Sequence, residues 1–276
     1  MVLEGTTIRQ RRLALNTLPA SLAEAFACMI DRIMKLPPAQ AKLGMQVLLW
    51  LHIAYRPFKL EELEHALAVE PGDTELDSDN IPSPEIMLSC CLGLVIVDEE
   101  TLTVRFVHYS LEEFFKNDEN ASKYFPDRFT SAAEICLTYL NFGKVSLPCK
   151  TREGLECLVQ EFAFLNYAVY HWVHYVRLQS HDCVMQLALK LLRVLSANSV
   201  GHHPAFQLSA GRFNFDDPFK PNLFSGTHMV AYFGFHTIHR REAGHHRDVG
   251  QSGIMRLFHD IEPNIQPNRL KFGDGI

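Results

Sequence analysis

Between Leu92 and Phe115 the hydrophobic pattern changes its period from two residues to 3.6, which marks a passage from strand to helix. Leu94 to Val97 is a short β-branched run, and Asp98-Glu99-Glu100 interrupts it with charge. From Thr101 to Val107 the chain alternates, with Leu102, Val104 and Phe106 separated by Thr103 and Arg105. Two β-rich runs around a polar break predict a hairpin. Leu111, Phe114 and Phe115 then fall on one helical face, while Glu112 and Glu113 point elsewhere. Ser110 followed by Glu113 fits a capping box, so the helix is expected to begin there. His108 stands at the hinge between strand and helix.

Upstream, the spacing predicts an N-terminal helix and then the three helices of a larger unit. Ser21, with Glu24 three residues on, caps the first, whose core stripe is Leu22, Phe26, Met29, Ile30 and Ile33. Pro37-Pro38 ends it. Residues 39–55 form a strongly apolar helix through Leu43, Val47, Leu48, Leu51 and Ala54, with Trp50 beside them, and Arg56-Pro57 breaks it. Leu60 to Val69 reads as an amphipathic helix with Leu60, Leu63 and Leu67 inside and Glu61, Glu62 and Glu64 outside. After an acidic loop from Pro71 to Pro84, Ile86 to Leu92 is the last helix before the hairpin. Three helices followed by a two-stranded wing is a winged helix, a relative of the helix-turn-helix. The expected fold class is mainly α: a winged helix followed by α-helical hairpins.

A winged helix that reads DNA needs Lys or Arg on its recognition helix and wing to neutralise phosphates. From Leu60 to Val104 there is no Lys or Arg, and twelve acidic residues lie in the same stretch. The whole chain of 276 residues carries a net charge of −6. Electrostatics therefore disfavour the alternative of a stand-alone nucleic-acid-binding protein, whose contacts would be left to Arg9, Arg11, Arg12 and an Arg-rich tail. Seven cysteines without a C-x-x-C pair predict reduced, buried thiols in a reducing, cytoplasmic setting. No apolar h-region opens the chain, and no apolar run approaches the roughly 18 residues that span a membrane.

Beyond Phe115, residues 117–125 read as a polar connection and residues 132–142 as a helix. Residues 143–151 form a turn-rich break, and residues 155–177 one or two aromatic-rich helices. Phe162, Phe164, Tyr167, Tyr170, Trp172 and Tyr175 occur there at helical spacing, which is the spacing of a core. His171 and His174 are too few for a metal site. A further helix runs from Val184 to Leu195, and residues 198–223 read as loop. The stretch F-S-G-T-H-M-V-A-Y-F-G-F-H beginning at Phe224 resembles a degenerate start of an ankyrin repeat, and an irregular, disordered tail follows. The expected divisions are 1–36 (linker and N-terminal helix), 37–118 (winged helix), 119–200 (helical linker) and 201–276 (loop, ankyrin-like segment and tail).

L-L-W-L-H-I-A-Y-R-P-F-K-L-E-E-L-E-H-A-L, then G-L-V-I-V-D-E-E and V-R-F-V-H-Y-S-L-E-E-F-F, resemble the winged-helix region of fungal NACHT–ankyrin proteins. These are NLR-like (STAND) signalling ATPases, and the same module is known as the GPI inositol-deacylase winged helix. The resemblance covers residues 17 to about 178. It implies a module that closes over a nucleotide-binding core, with C-terminal repeats that sense a ligand. No G-x-x-x-x-G-K-[ST] loop occurs: Gly143-Lys144 is followed by Val145, and Thr138 stands where the first glycine belongs. No G-x-S-x-G elbow occurs either, because G-Q-S-G-I from Gly250 has the wrong spacing. The expectation is a non-catalytic module with no cofactor and no metal, whose partner is a protein rather than nucleic acid or membrane. The missing repeat array suggests a truncated or rearranged relative.

The V-H-Y-S-L-E-E-F-F stretch is similar to the M-H-D-type motif of NLR winged helices, whose histidine touches the β-phosphate of ADP. The resemblance implies that role for His108, but only with a nucleotide-binding core supplied in trans. Tyr109 stands where the family has aspartate. The plainer role for His108 is to cap local backbone or pack beside the wing.

Overall fold

The computed structural model describes residue 7 and residues 21–178, 181–197 and 203–210. Among the described residues, those up to Ala68 together with Asp79–Arg128 form one compact unit, and Val69–Ser78 with those from Phe129 onward form a second. In the first, α1 (Leu22–Met34), α2 (Pro38–Ile53), β1 (Phe58–Lys59) and α3 (Leu60–Ala68) are followed by α4 (Pro84–Cys90). The hairpin β2 (Val95–Asp98) and β3 (Thr103–Phe106) then leads into α5 (Tyr109–Lys116) and α6 (Asp118–Tyr124). This is a winged helix, as the period change predicts.

The local chemistry explains most boundaries. Ser21 Oγ accepts the Glu24 N–H at 3.1 Å and starts α1. Proline at the first position starts both α2 and α4, where its missing N–H has no partner to lose. In the wing turn, Asp98 Oδ1 accepts from the N–H groups of Glu100 and Thr101 and from the Thr101 hydroxyl. Those bonds hold the Asp98 carboxyl below its ordinary range.

Four expectations need correction. The sheet has three strands, in the order β1-β3-β2, because Phe58 and Lys59 pair antiparallel with Val104 and Thr103. A two-residue strand is too short to show a period. Leu102 is exposed with φ +53°, since it turns the hairpin instead of continuing the alternation. Residues 117–125 are not a connection: Asn117 Oδ1 accepts the N–H groups of Glu119 and Asn120 and caps α6. Glu62 lies inside rather than outside, for a reason given with the site below.

The apolar helix α2 runs through the middle of this unit, with Val47, Leu48 and Trp50 essentially buried. The Trp50 and Phe58 rings meet edge to face at 5.6 Å. Around α5, the Phe114 ring packs on Phe26 and Phe115 packs on Phe125. His52, on α2, sits 5.6 Å from the Phe115 ring and 6.0 Å from Phe125. Burial, assisted by Arg128, pushes its pKa down. At Gly44, α2 passes close to α1 and α4: a Cβ there would lie 2.6 Å from the Cys90 carbonyl oxygen and 2.9 Å from Ile33 Cγ2. Only glycine fits that approach.

In the second unit, the aromatic residues of the sequence form a core. Tyr139 on α7 (Arg128–Leu140) lies 5.9 Å from Phe162 and 5.3 Å from Phe164. α8 (Arg152–Glu161) and α9 (Leu165–Arg177) resolve residues 155–177 into two helices. The Tyr167 and Tyr175 hydroxyls, both buried, bond to each other at 2.6 Å. Asn141 Nδ2 donates to the carbonyls of Leu137 and Leu187, joining the end of α7 to α10 (Asp182–Ala197). Tyr170 is the exception to the buried stripe: it is exposed, and its hydroxyl donates to the Leu208 carbonyl.

The expected loop at residues 198–223 contains α11 (Pro204–Ala210). His203 caps it, with Nδ1 accepting the Ala205 N–H at 3.2 Å. Sequence reasoning missed this because histidine is an uncommon cap. Cys90, Cys91 and Cys136 are buried as expected, but Cys28, Cys157 and Cys183 are exposed, which corrects the expectation of uniformly buried thiols. The ankyrin-like segment, the tail and the Arg9–Arg12 cluster lie outside the described residues. Among the described residues, no helix is long and apolar enough to cross a membrane.

Two predictions follow from this packing. Gly44→Ala raises helix propensity by up to about 1 kcal/mol, but its methyl group meets the Cys90 carbonyl. Overpacking of this kind costs about 1–3 kcal/mol, so the variant is expected to lose roughly 1–2 kcal/mol, read from the urea midpoint. For His203, burial holds the imidazole pKa down to about 4 from 6.5. The unfolded chain binds the proton first, so stability is whole above pH 6.5 and falls as the pH drops towards about 4. Roughly 3 kcal/mol should be lost across that window, and His203→Gln should lose less between pH 7 and pH 4 in parallel urea titrations.

Candidate functional site

The corner where β3 runs into α5 holds the residue singled out by the sequence. His108 is the N-cap of α5, with extended backbone at φ −145° and ψ 140°. Its Nδ1 accepts the Ser110 N–H at 3.1 Å and lies 2.7 Å from Ser110 Oγ. The helix therefore starts at Tyr109, and the expected Ser110 capping box is replaced by a histidine cap. The Ser110 hydroxyl serves the ring instead of the helix. An Nδ1 that accepts a backbone N–H must be unprotonated, which puts the ring proton of neutral His108 on Nε2. The ring is exposed, with the Tyr109 ring tilted against it at 4.7 Å and itself 72% exposed. His108 thus has both its plainer role, capping backbone, and a second N–H available for an acceptor.

A second structure at the same end of the sheet was invisible in the sequence. Arg56 Nη1 and Nη2 each donate to one carboxylate oxygen of Glu62 at 2.6 Å, a two-pronged charge-assisted pair. Glu62 Oε2 also accepts the Lys59 N–H at 2.9 Å, which satisfies the first turn of α3. That is why Glu62 is buried despite its place on the expected outer face. The nearest sequence signal was the chain break at Arg56-Pro57. It gave no reason to link Arg56 with a glutamate six residues on.

Beside this pair lies an open cleft of about 230 Å³, between the end of α2, β3 and α5. Leu51, Ala54, Val104 and Phe106 give it an apolar lining, and Arg56, Arg105 and Glu112 bring charge to it. Small-molecule sites usually enclose about 300–1,000 Å³, so this cleft suits a side chain better than a cofactor. His171 and His174, the other histidine pair read from the sequence, lie 6.2 Å apart between ring centroids on α9. Among the described residues, no group of three metal-ligating side chains comes together.

The helical core, the antiparallel sheet and the capped turn into α5 define a winged-helix domain. Residues 32–125 match the family model of the GPI inositol-deacylase winged helix domain, the module that the wing motif resembles. The match begins in the last turn of α1 and ends just beyond α6. No curated protein and no solved structure matches the chain.

The cap gives a direct test of His108. His108→Ala should lower stability by about 1 kcal/mol, whereas His108→Asn, which keeps a capping acceptor, should lose only a few tenths on the same scale. Urea unfolding at pH 8 would read both. Equal stability of all three proteins would show that the cap contributes nothing.

Proposed function

We propose that this chain is a non-catalytic interaction module, whose winged helix packs against another protein. Its surface charge is the observation that carries this reading. The domain presents no Lys or Arg from Leu60 to Val104, and of the carboxylates there, Glu61, Glu64 and Glu85 crowd one another across α3 and α4. Burial and the charges of Glu61 and Glu85 push the Glu64 carboxyl up. A duplex phosphate backbone would meet repulsion at the helix that other winged helices use for DNA. Ile86 and Tyr109, both exposed, offer apolar contacts of the kind protein partners bury.

The resemblance to NLR-like ATPases suggests the partner of this reading: a nucleotide-binding core, in a complex that forms on the cytoplasmic side. His108 would then serve as its phosphate contact through Nε2–H, the donor left over after capping. The expected result is a complex between this chain and such a core in sedimentation velocity with ADP present, weakened by His108→Asn. Neither ADP binding by the chain alone in calorimetry nor binding to fluorescent duplex DNA at physiological salt is expected. Duplex binding would overturn the reading in favour of a nucleic-acid module. Turnover of ATP by the purified chain would overturn its non-catalytic part.

A further inference from the structure

The cleft between α2, β3 and α5 has a charge arrangement that selects its occupant. Arg56 at its edge is engaged by Glu62 through both guanidinium nitrogens. Glu112 is paired with Lys116 at 3.2 Å. Arg105 differs: its side chain is 53% exposed, and its Nε stands 3.7 Å from Asp98 Oδ2, too far for a hydrogen bond. Asp98 Oδ1 holds the wing turn through three bonds, and its Oδ2 faces Arg105 in this long ion pair. Arg105 therefore brings to the rim of a cleft of mixed lining a guanidinium held only by a long ion pair to Asp98. Tyr55, 49% exposed, forms another part of the wall.

We infer that this cleft receives a linear segment of a protein partner, seating one apolar side chain on Ala54, Val104 and Phe106 beside a carboxylate held by Arg105. The inference rests on the interaction-module reading and names the partner's chemistry at one place. The volume of about 230 Å³ admits one large side chain. A planar guanidinium held only by a long ion pair favours a carboxylate, which it grips at two points, over a neutral or basic neighbour.

The experiment is fluorescence anisotropy of two labelled peptides titrated with the full chain. One carries Phe-Asp-Glu between glycines, and the other carries Phe-Lys-Lys. The acidic peptide should bind about tenfold or more tightly than the basic one. Arg105→Glu should reverse that order. Ala54→Leu, which fills the cleft without touching charge, should weaken the acidic peptide by about tenfold, with circular dichroism confirming that both variants fold. No saturable binding, or an order unchanged by Arg105→Glu, would overturn the inference. Full affinity in Ala54→Leu together with displacement by inorganic phosphate would overturn it too, because Arg105 would then be holding any anion. The interaction-module reading stands or falls separately, on sedimentation with a nucleotide-binding core.

Discussion

The contact of α2 with α1 and α4 at Gly44 is the constraint on which the winged helix depends. The Cys90 carbonyl and the Ile33 side chain occupy the space where a Cβ would stand. Because protein interiors pack at crystal-like density, an added methyl group there has nowhere to go. The approach places α4 so that the chain leaves Cys90 close to the core. Leu92 and Gly93, both at positive φ, then turn it into β2. The apolar faces of the hairpin and of α5 close on the other side of α2, with Phe106, Phe114 and Phe115 filling the space.

Polar groups at the edge of this core are arranged so that few are left over. Glu62 would be a costly buried charge on its own. Arg56 and the Lys59 N–H meet it, and the same bonds pin β1 against the start of α3. His108 does comparable work at the other corner, where one nitrogen secures α5 and the other faces outward. A side chain that caps a helix is held in one rotamer. The same property makes it suitable for presenting a donor to a ligand.

Much of this fold was legible because hydrophobic period follows directly from backbone geometry. The hairpin, the α5 stripe of Leu111, Phe114 and Phe115, and the Ser21 cap were all read correctly. The aromatic run from Phe162 to Tyr175 proved to be core, apart from Tyr170, which bonds the Leu208 carbonyl across a long stretch of chain. The misreadings share a cause. Ser110, Asn117 and Glu62 are polar residues whose roles depend on the backbone atom that comes within reach. Ser110 looked like a cap and bonds the true cap, His108. Asn117 looked like linker and caps α6. Glu62 looked solvated and is buried on Arg56. Arg105 belongs with them, since nothing in T-V-R-F tells that its nearest carboxylate is Asp98 across the wing turn.

By itself, the sequence determined the element types, the winged-helix order and the acidic character of the domain, because period, proline placement and charge are local properties of the chain. Tertiary structure alone decided that Gly44 must be glycine, that β1 joins the sheet and that Arg56 pairs with Glu62. It also decided that Arg105 lines the cleft beside Ala54 and Phe106 while keeping only a long ion pair to Asp98. Each of these depends on a distance between atoms that the covalent chain does not hold together. Such distances are set only when the burial of α2 brings the surrounding elements to rest.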